Sequence, residues 1–244
     1  MIKIFIFALL INILRYSLFS ISIFLLVNKL NPEWIQKLLI TNKTINNKQF
    51  IDEIKDSSIS IVVYSVVMTI TYYLFQTGNS NLELNPTHYN LLEIVFTVTI
   101  LMIVHDTYFY WTHRLLHFGL LNKHIHRTHH LSNQTTALTS LRFHPIEAFI
   151  EALIIPISIY IIPVNIYDLS LFYFLVYLFN AYGHSGVEIH RVGFPKNNAL
   201  KWFSTSVHHY QHHKYPPYNF GLYFTFWDRI MGTLHPKYCK DFRQ

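Results

Sequence analysis

The chain has 244 residues, enough for one sizeable domain; 51% are hydrophobic, 17% aromatic and only 13% charged, with a net charge of +6. A soluble domain is about one quarter charged, so this balance points to a membrane protein. The single cysteine, Cys239, excludes a disulfide framework, a cysteine zinc site or an iron–sulfur cluster held within one chain, and the scattered basic residues form no patch of the kind that binds nucleic acid.

A helix needs roughly 20 apolar residues to cross a hydrocarbon core of ~30 Å. Residues 4–27 form the first such stretch, interrupted by Arg15. Its apolar run exceeds the ~7–15 residues of a signal peptide and no small-residue cleavage site follows it, so a retained span is expected. TNKTINNKQF (41–50) reads as a polar loop. Residues 58–75 and 91–111 form the second and third stretches. Residues 147–164, which Pro156 is expected to bend, and the short run 169–182 read either as full spans or as a re-entrant hairpin. The expectation is an all-α integral membrane bundle of about four to five spans.

The basic residues give it sidedness. Lys29, Lys37, Lys43, Lys48 and Lys55 lie in 28–57, Arg114, Lys123, Arg127 and Arg142 in 112–146, and eight more beyond residue 183; loops 76–90 and 165–168 carry none. Of the 19 basic residues only Lys3 and Arg15 fall outside this set. The positive-inside rule assigns that face to the cytoplasm. All of the 16 histidines except His88 share it.

Three histidine clusters stand out. HDTYFYWTHRLLH (105–117) ends in His113 and His117, four apart and so on one helical face. HIHRTHH (124–130) contains His126, His129 and His130. SVHHYQHHKYPP (206–217) repeats the same spacing at His209, His212 and His213. One such pair is commonly a solvated surface; three on one side of a membrane are not. Eight imidazoles exceed what one ion uses, so the count favours two metals. Imidazole suits iron, copper, zinc and nickel alike, so the ligands alone do not name the metal.

The order His-x-x-x-His, His-x-x-His-His, His-x-x-His-His resembles the fatty acid hydroxylase and sterol desaturase superfamily, integral membrane di-iron enzymes. DTYFYWTHRLLH, LRFHPIEA (141–148) and YNFGLYFTFWDRIMGT (218–233) resemble further family segments, with Phe220 in place of the usual Tyr. The resemblance covers roughly 91–235, leaving 1–90 as N-terminal membrane helices with a cytosolic loop and 236–244 as a tail. It implies a cytosolic histidine-rich di-metal cap and one more ligand in NAYGHSG (180–186). His184 fills the second position of a family His pair and Asn180 stands at the first, a weaker candidate acting through a water. The implied ligands are His113, His117, His126, His129, His130, His184, His209, His212 and His213. The implied cofactor is two irons, with zinc a substitute in purified protein.

The other polar residues near the boxes have blander readings. His105 either supports a ligand, lines a substrate cavity or sits at the interface. Asp106 is a candidate to orient a ligating imidazole. Glu188 supports the site or is solvated, and the spacing of His190 does not fit a ligand. His124 and His208 flank the ligands, and His144 before Pro145 suits a helix start. His88 and His235 read as surface residues. Arg114 and Arg127 pair with carboxylates or headgroups, or are ordinary cytosolic charge. Trp227 and Asp228 seal the site or pack at the interface.

An unactivated C–H bond requires a metal–oxygen oxidant. The expected activity is therefore O2-dependent hydroxylation or desaturation of a lipid, sterol-like, fatty acyl or alkyl, at the membrane boundary. No haem motif, nucleotide fingerprint or cysteine cluster is present, so a separate electron-donor protein and reductase are implied. A histidine-box acyl-lipid desaturase shares the grammar, but the closing Trp-Asp…Gly-Thr segment favours the hydroxylase group. A membrane metal-binding or transport protein would need ionisable groups within its spans; only Arg15, Glu93 and Glu151 qualify.

Overall fold

The computed structural model describes residues 1–41, 44–78, 80–87 and 90–242; Lys43 and His88 lie outside them. The chain is a helical bundle with, among the described residues, three helices long and apolar enough to cross a membrane. They are α1 (Ile2–Leu30), which includes two turns of π pitch, α2 (Asn47–Gln76) and α3 (Leu91–Leu116). Asn46 and Asn90 cap α2 and α3, accepting from the Gln49 and Leu92 N–H groups. The polar stretch expected as a loop over 41–50 already enters α2 at Asn47. Phe7, Leu10, Leu14, Val62, Val66, Val95 and Phe96 point outward from these helices. An apolar surface of this extent suits lipid rather than water.

Residues 119–130 form a short helical segment, α4, built from Gly119–Leu121, Asn122–His126 and Arg127–His130. The fourth apolar stretch is two eight-residue helices, α5 (Pro145–Ala152) and α6 (Ile154–Ile161). His144 caps α5 and Pro145 occupies its first turn. The break falls at Leu153, one turn before Pro156, which has no N–H to give the carbonyl four residues back. Eight residues reach only ~12 Å, so neither piece crosses a bilayer alone. α7 (Ile166–His184) returns antiparallel, capped by the reciprocal pair Asn165 and Asp168. α8 (Ser206–Lys214) and α9 (Phe226–Ile230) follow.

Two sequence-remote segments tie the ends of the bundle. β1 (Leu82–Glu83) pairs in parallel with β2 (Val164–Asn165), Leu82 opposite Val164 and Glu83 opposite Asn165. At the other end the Ile40 N–H donates to the Gly186 carbonyl and the Glu188 N–H to the Leu38 carbonyl. The apolar core packs α1 and α2 against the segment Ala137–Leu141 and α7, through Tyr16, Phe19, Ile61, Leu138, Phe143 and Tyr177.

Candidate metal centre

Four elements converge at one pole of the bundle. The last turn of α3 supplies His113, and His117 caps its C-terminus. α4 supplies His126, His129 and His130, α7 ends on His184, and α8 supplies His209, His212 and His213. Thr205 caps α8, its hydroxyl accepting from the His208 N–H at 3.2 Å.

The nine rings fall into two groups. His113, His117, His126, His130 and His212 form one, His129, His184, His209 and His213 the other; within each, the inward nitrogens lie within 4.8 Å of one another. In the first, His113 and His126 Nε2 are 3.2 Å apart, His130 Nε2 lies 3.0 Å from that of His126 and 3.1 Å from that of His212, and His117 and His212 Nε2 are 3.1 Å apart. In the second, His184 Nε2 lies 2.8 Å from His209 and 3.3 Å from His129, and His213 Nε2 lies 3.2 Å from His209.

These distances test whether a metal fits. Five of the rings donate through Nδ1: His113 to the Phe220 carbonyl (3.0 Å), His126 to Glu147 Oε1 (2.7 Å), His129 to the Arg142 carbonyl (3.2 Å), His184 to the Asn180 carbonyl (2.8 Å) and His212 to the Tyr218 carbonyl (2.7 Å). A neutral imidazole carries one N–H, so each of these has a lone pair at Nε2. Lone pairs facing each other at about 3 Å repel unless a cation lies between them. Two nitrogens each ~2.1 Å from one ion, at angles between a right angle and tetrahedral, are ~3.0–3.4 Å apart. The donor set fits two imidazole-bound metal ions.

Electrostatics favours neutral rings. Burial, followed by the neighbouring imidazoles, holds His126, His129, His209, His212 and His213 well below the ordinary value of 6.5, and pushes His130 down to about 3. Neutral rings are the ligating form.

Two buried aspartates shape the segment that holds His113 and His212. Asp106 accepts from the Leu222, Tyr223 and Phe224 N–H groups at 2.6–3.2 Å. Asp228 accepts from the Phe220 and Gly221 N–H groups, both at 2.9 Å, and from the Thr233 hydroxyl at 2.7 Å; His208 Nε2 lies 3.2 Å away. Burial raises the Asp228 carboxyl, but His208 and these donors outweigh it and leave it below the ordinary carboxylate range. A Cβ at Gly221 would collide with the Phe224 carbonyl oxygen. On the other side, Glu53 of α2 accepts from Ser132, Thr136, Thr139 and Gln49 at 2.6–3.0 Å. Arg142 donates to Ser132 and pairs with Asp56 at 3.0 Å, and its carbonyl receives His129.

The expectations for Asp106, Asn180 and His235 need correction. Asp106 orients a backbone turn, not an imidazole. Asn180 does not face the rings through its amide, which donates to the Ser140 carbonyl; its main-chain carbonyl holds His184. His105 meets the Tyr223 hydroxyl at 2.9 Å and lines a cavity. His190 and Glu188 pair with each other at 2.7 Å, outside both groups. Glu188 is fully buried and accepts from the Val207 N–H, fixing the start of α8. His208 is buried between Ser204 and Asp228 and joins neither group. His235 is buried, stacked on Tyr215, rather than a surface residue. Trp227 donates to Thr107 and stacks on Tyr110. Glu147 and Glu53 were missed: the first sits in a quoted motif with no role attached, the second in a stretch that reads as solvent-facing.

A cavity of about 350 Å³ opens between α1, α2, α3, α5, α6 and α7. Its wall is mostly apolar and reaches the histidine pole at Phe143, which stacks on His129, and at Asn180.

The sequence model of the fatty acid hydroxylase family matches residues 98–233. Human lathosterol oxidase is 35% identical over 173 residues, 69% of this chain and 56% of the human protein. Rat lathosterol oxidase is 34% identical over 147 residues, 59% of this chain and 47% of the rat protein. The Delta(7)-sterol 5(6)-desaturase of Leptosphaeria maculans is 28% identical over 208 residues, 80% of this chain and 55% of that protein. The chain thus spans about half the length of these relatives, and no solved structure matches it. The match over more than half of the chain, across the residues that build the histidine pole, makes it a member of the fatty acid hydroxylase family.

Proposed function

We propose that this chain is a membrane-bound, O2-dependent di-iron oxidoreductase that hydroxylates or desaturates a sterol-like lipid. The observation that carries the reading is the pair of histidine groups, with an apolar cavity that reaches their pole at Phe143 and Asn180. Bound iron would supply the O2 chemistry that an unactivated C–H bond requires. His113, His117, His126, His130 and His212 would hold one ion, and His129, His184, His209 and His213 the other. Glu147 and four backbone carbonyls set the tautomers of five of them. The mostly apolar cavity would receive the lipid between α1, α3 and α7.

The sterol-like class is supported by the relatives, whose names are those of sterol oxidases and desaturases. We place the histidine pole on the cytoplasmic side, because the basic residues gather there. A separate reductase and electron carrier would dock on that face. α5, α6 and α7 complete the bundle as a fourth and fifth membrane segment, entering as a hairpin.

The test is metal analysis with product analysis. Protein expressed in iron-replete cells should carry about two irons per chain, and with a reductase system should oxidise a sterol in O2. Reproducible absence of metal, or metal without any lipid oxidation across sterol and acyl substrates, rejects the reading.

A further inference from the structure

The cavity wall holds polar groups, and most are already satisfied. Asn12 donates to Ser65 and accepts from Tyr177, Asn180 donates to the Ser140 carbonyl, and His105 meets Tyr223. Glu151 and the hydroxyls of Tyr64 and Tyr173 are the exceptions. Glu151 is only 8% exposed and lines the cavity, and Thr112, at 3.5 Å, is its one hydroxyl neighbour. That hydroxyl has a single proton, already directed at the Tyr108 and Phe109 carbonyls at 2.9 and 3.1 Å. A buried carboxyl without a good partner is expensive, so a polar group from the occupant is called for. Tyr64, in the same wall, has no hydrogen-bond partner for its hydroxyl among the described residues, and its helix α2 packs against α5, which carries Glu151.

We propose that Glu151 and Tyr64 receive the hydroxyl group of a sterol-like substrate and fix its orientation in the cavity. The carboxyl accepts from the substrate O–H and the Tyr64 phenol donates to its oxygen. Glu151 lies one turn along α5 from Glu147, which holds His126, so the two side chains are neighbours about 5–6 Å apart at Cβ. A hydroxyl docked there brings carbons a few bonds away to the histidine pole. Arg15, held over the rings of Tyr173 and Tyr177 at 5.0 and 5.9 Å, lies part-way along the cavity, which runs on to Leu82 and Ile166. Tyr173 precedes His184 by 11 residues of α7, ~16 Å along the axis. A lipid anchored by an anionic head at Arg15 would instead be oxidised far from its polar end.

The inference rests on the lipid oxidoreductase reading but is tested separately, by binding. Full-length protein in nanodiscs is titrated with a tritiated 3-hydroxysterol, its 3-methyl ether and a long-chain fatty acid. The free hydroxyl should bind about tenfold more tightly than the ether, as loss of one buried hydrogen bond implies. Glu151→Leu and Tyr64→Phe should reduce that preference to about twofold, and Glu151→Gln, which keeps an acceptor, should retain most of it. The ether comparison needs no variant and so survives any folding defect. Equal binding of alcohol and ether, or a preference for the fatty acid that Arg15→Met abolishes, overturns the proposal. If the preference holds but no lipid is oxidised, the oxidoreductase reading fails and the hydroxyl site stands. Where products form, oxidation should lie within a few bonds of the hydroxyl; oxidation at the opposite end also overturns it.

Discussion

Each ring's usefulness as a ligand is set by what its outer nitrogen touches. The Glu147 carboxyl against His126 Nδ1, both buried, is the one side-chain acceptor among the five ring contacts. A carboxyl partner at the outer nitrogen fixes the ring's tautomer and raises its basicity toward a metal. Glu147→Ala should therefore weaken metal binding about 10–100-fold, as outer partners of ligating histidines do, measured by competition with a chelator. An unchanged affinity would show that the backbone-held rings suffice. Eight of the histidines were legible in the sequence because spacing of three and four is a helical signal and because three clusters repeat it; His184 entered only through the family resemblance. Glu147 was not legible, because a carboxylate beside a helix start is common and its partner lies 21 residues away. The same holds for Asp106, which sits on α3 two turns before His113 yet binds a segment 116 residues onward.

At the scale of elements, the segments that carry no ligand decide where the ligands sit. α2 offers Glu53, fully buried, to three hydroxyls of the segment whose carbonyl then receives His129. Glu53→Ala strips the acceptor from Ser132, Thr136 and Thr139. It should destabilise the fold by about 3 kcal/mol, with a lower thermal midpoint, and loosen the second histidine group; a midpoint within error of the parent would remove α2 from the site's support. The turn after α8 gives a sharper case. Gly221→Ala places a methyl group against the Phe224 carbonyl, in the loop whose Phe220 and Tyr218 carbonyls hold His113 and His212. The expected result is folded protein with impaired metal loading in the first group, read as fewer metal equivalents per chain. Helix existence was visible as long apolar runs, and the reach of α3 beyond Trp111 followed from its spacing. The bend of the fourth stretch was foreseen from Pro156, though not its place at Leu153, one turn back. The entry of α2 at Asn47 and the pairing of β1 with β2 were not visible; the latter joins two-residue strands 82 residues apart and leaves no periodic trace.

For the whole molecule, the cage and the membrane bundle are one folding problem. Folding buries rings whose protonated forms it disfavours, so between pH 6.5 and the lower values of the folded state the unfolded chain binds more protons. The sign is fixed: stability is full above the unfolded value of 6.5 and falls as pH drops below it. Each histidine kept neutral in the fold and protonated in the unfolded chain steepens this by about 1.4 kcal/mol per pH unit, so five or more acting together would exhaust a stability of ~5–15 kcal/mol within about two units. Metal-free protein should thus lose its thermal transition between pH 6.5 and about 4.5. Metal adds stability to the folded form alone and shifts the loss to lower pH. Midpoints measured from pH 7.5 to 4.5, with and without added iron or zinc, check both statements. A metal-free midpoint that stays flat across that range would mean the rings are already charged or solvent-exposed in the fold, and the closed two-group cage would have to be abandoned. A chelator-treated sample should also relax first at the histidine pole, because the lone pairs there face each other with nothing between them while α1, α2 and α3 remain held by their own apolar contacts. Hydrogen exchange in residues 206–214 rising ahead of exchange in residues 47–76 would mark that order.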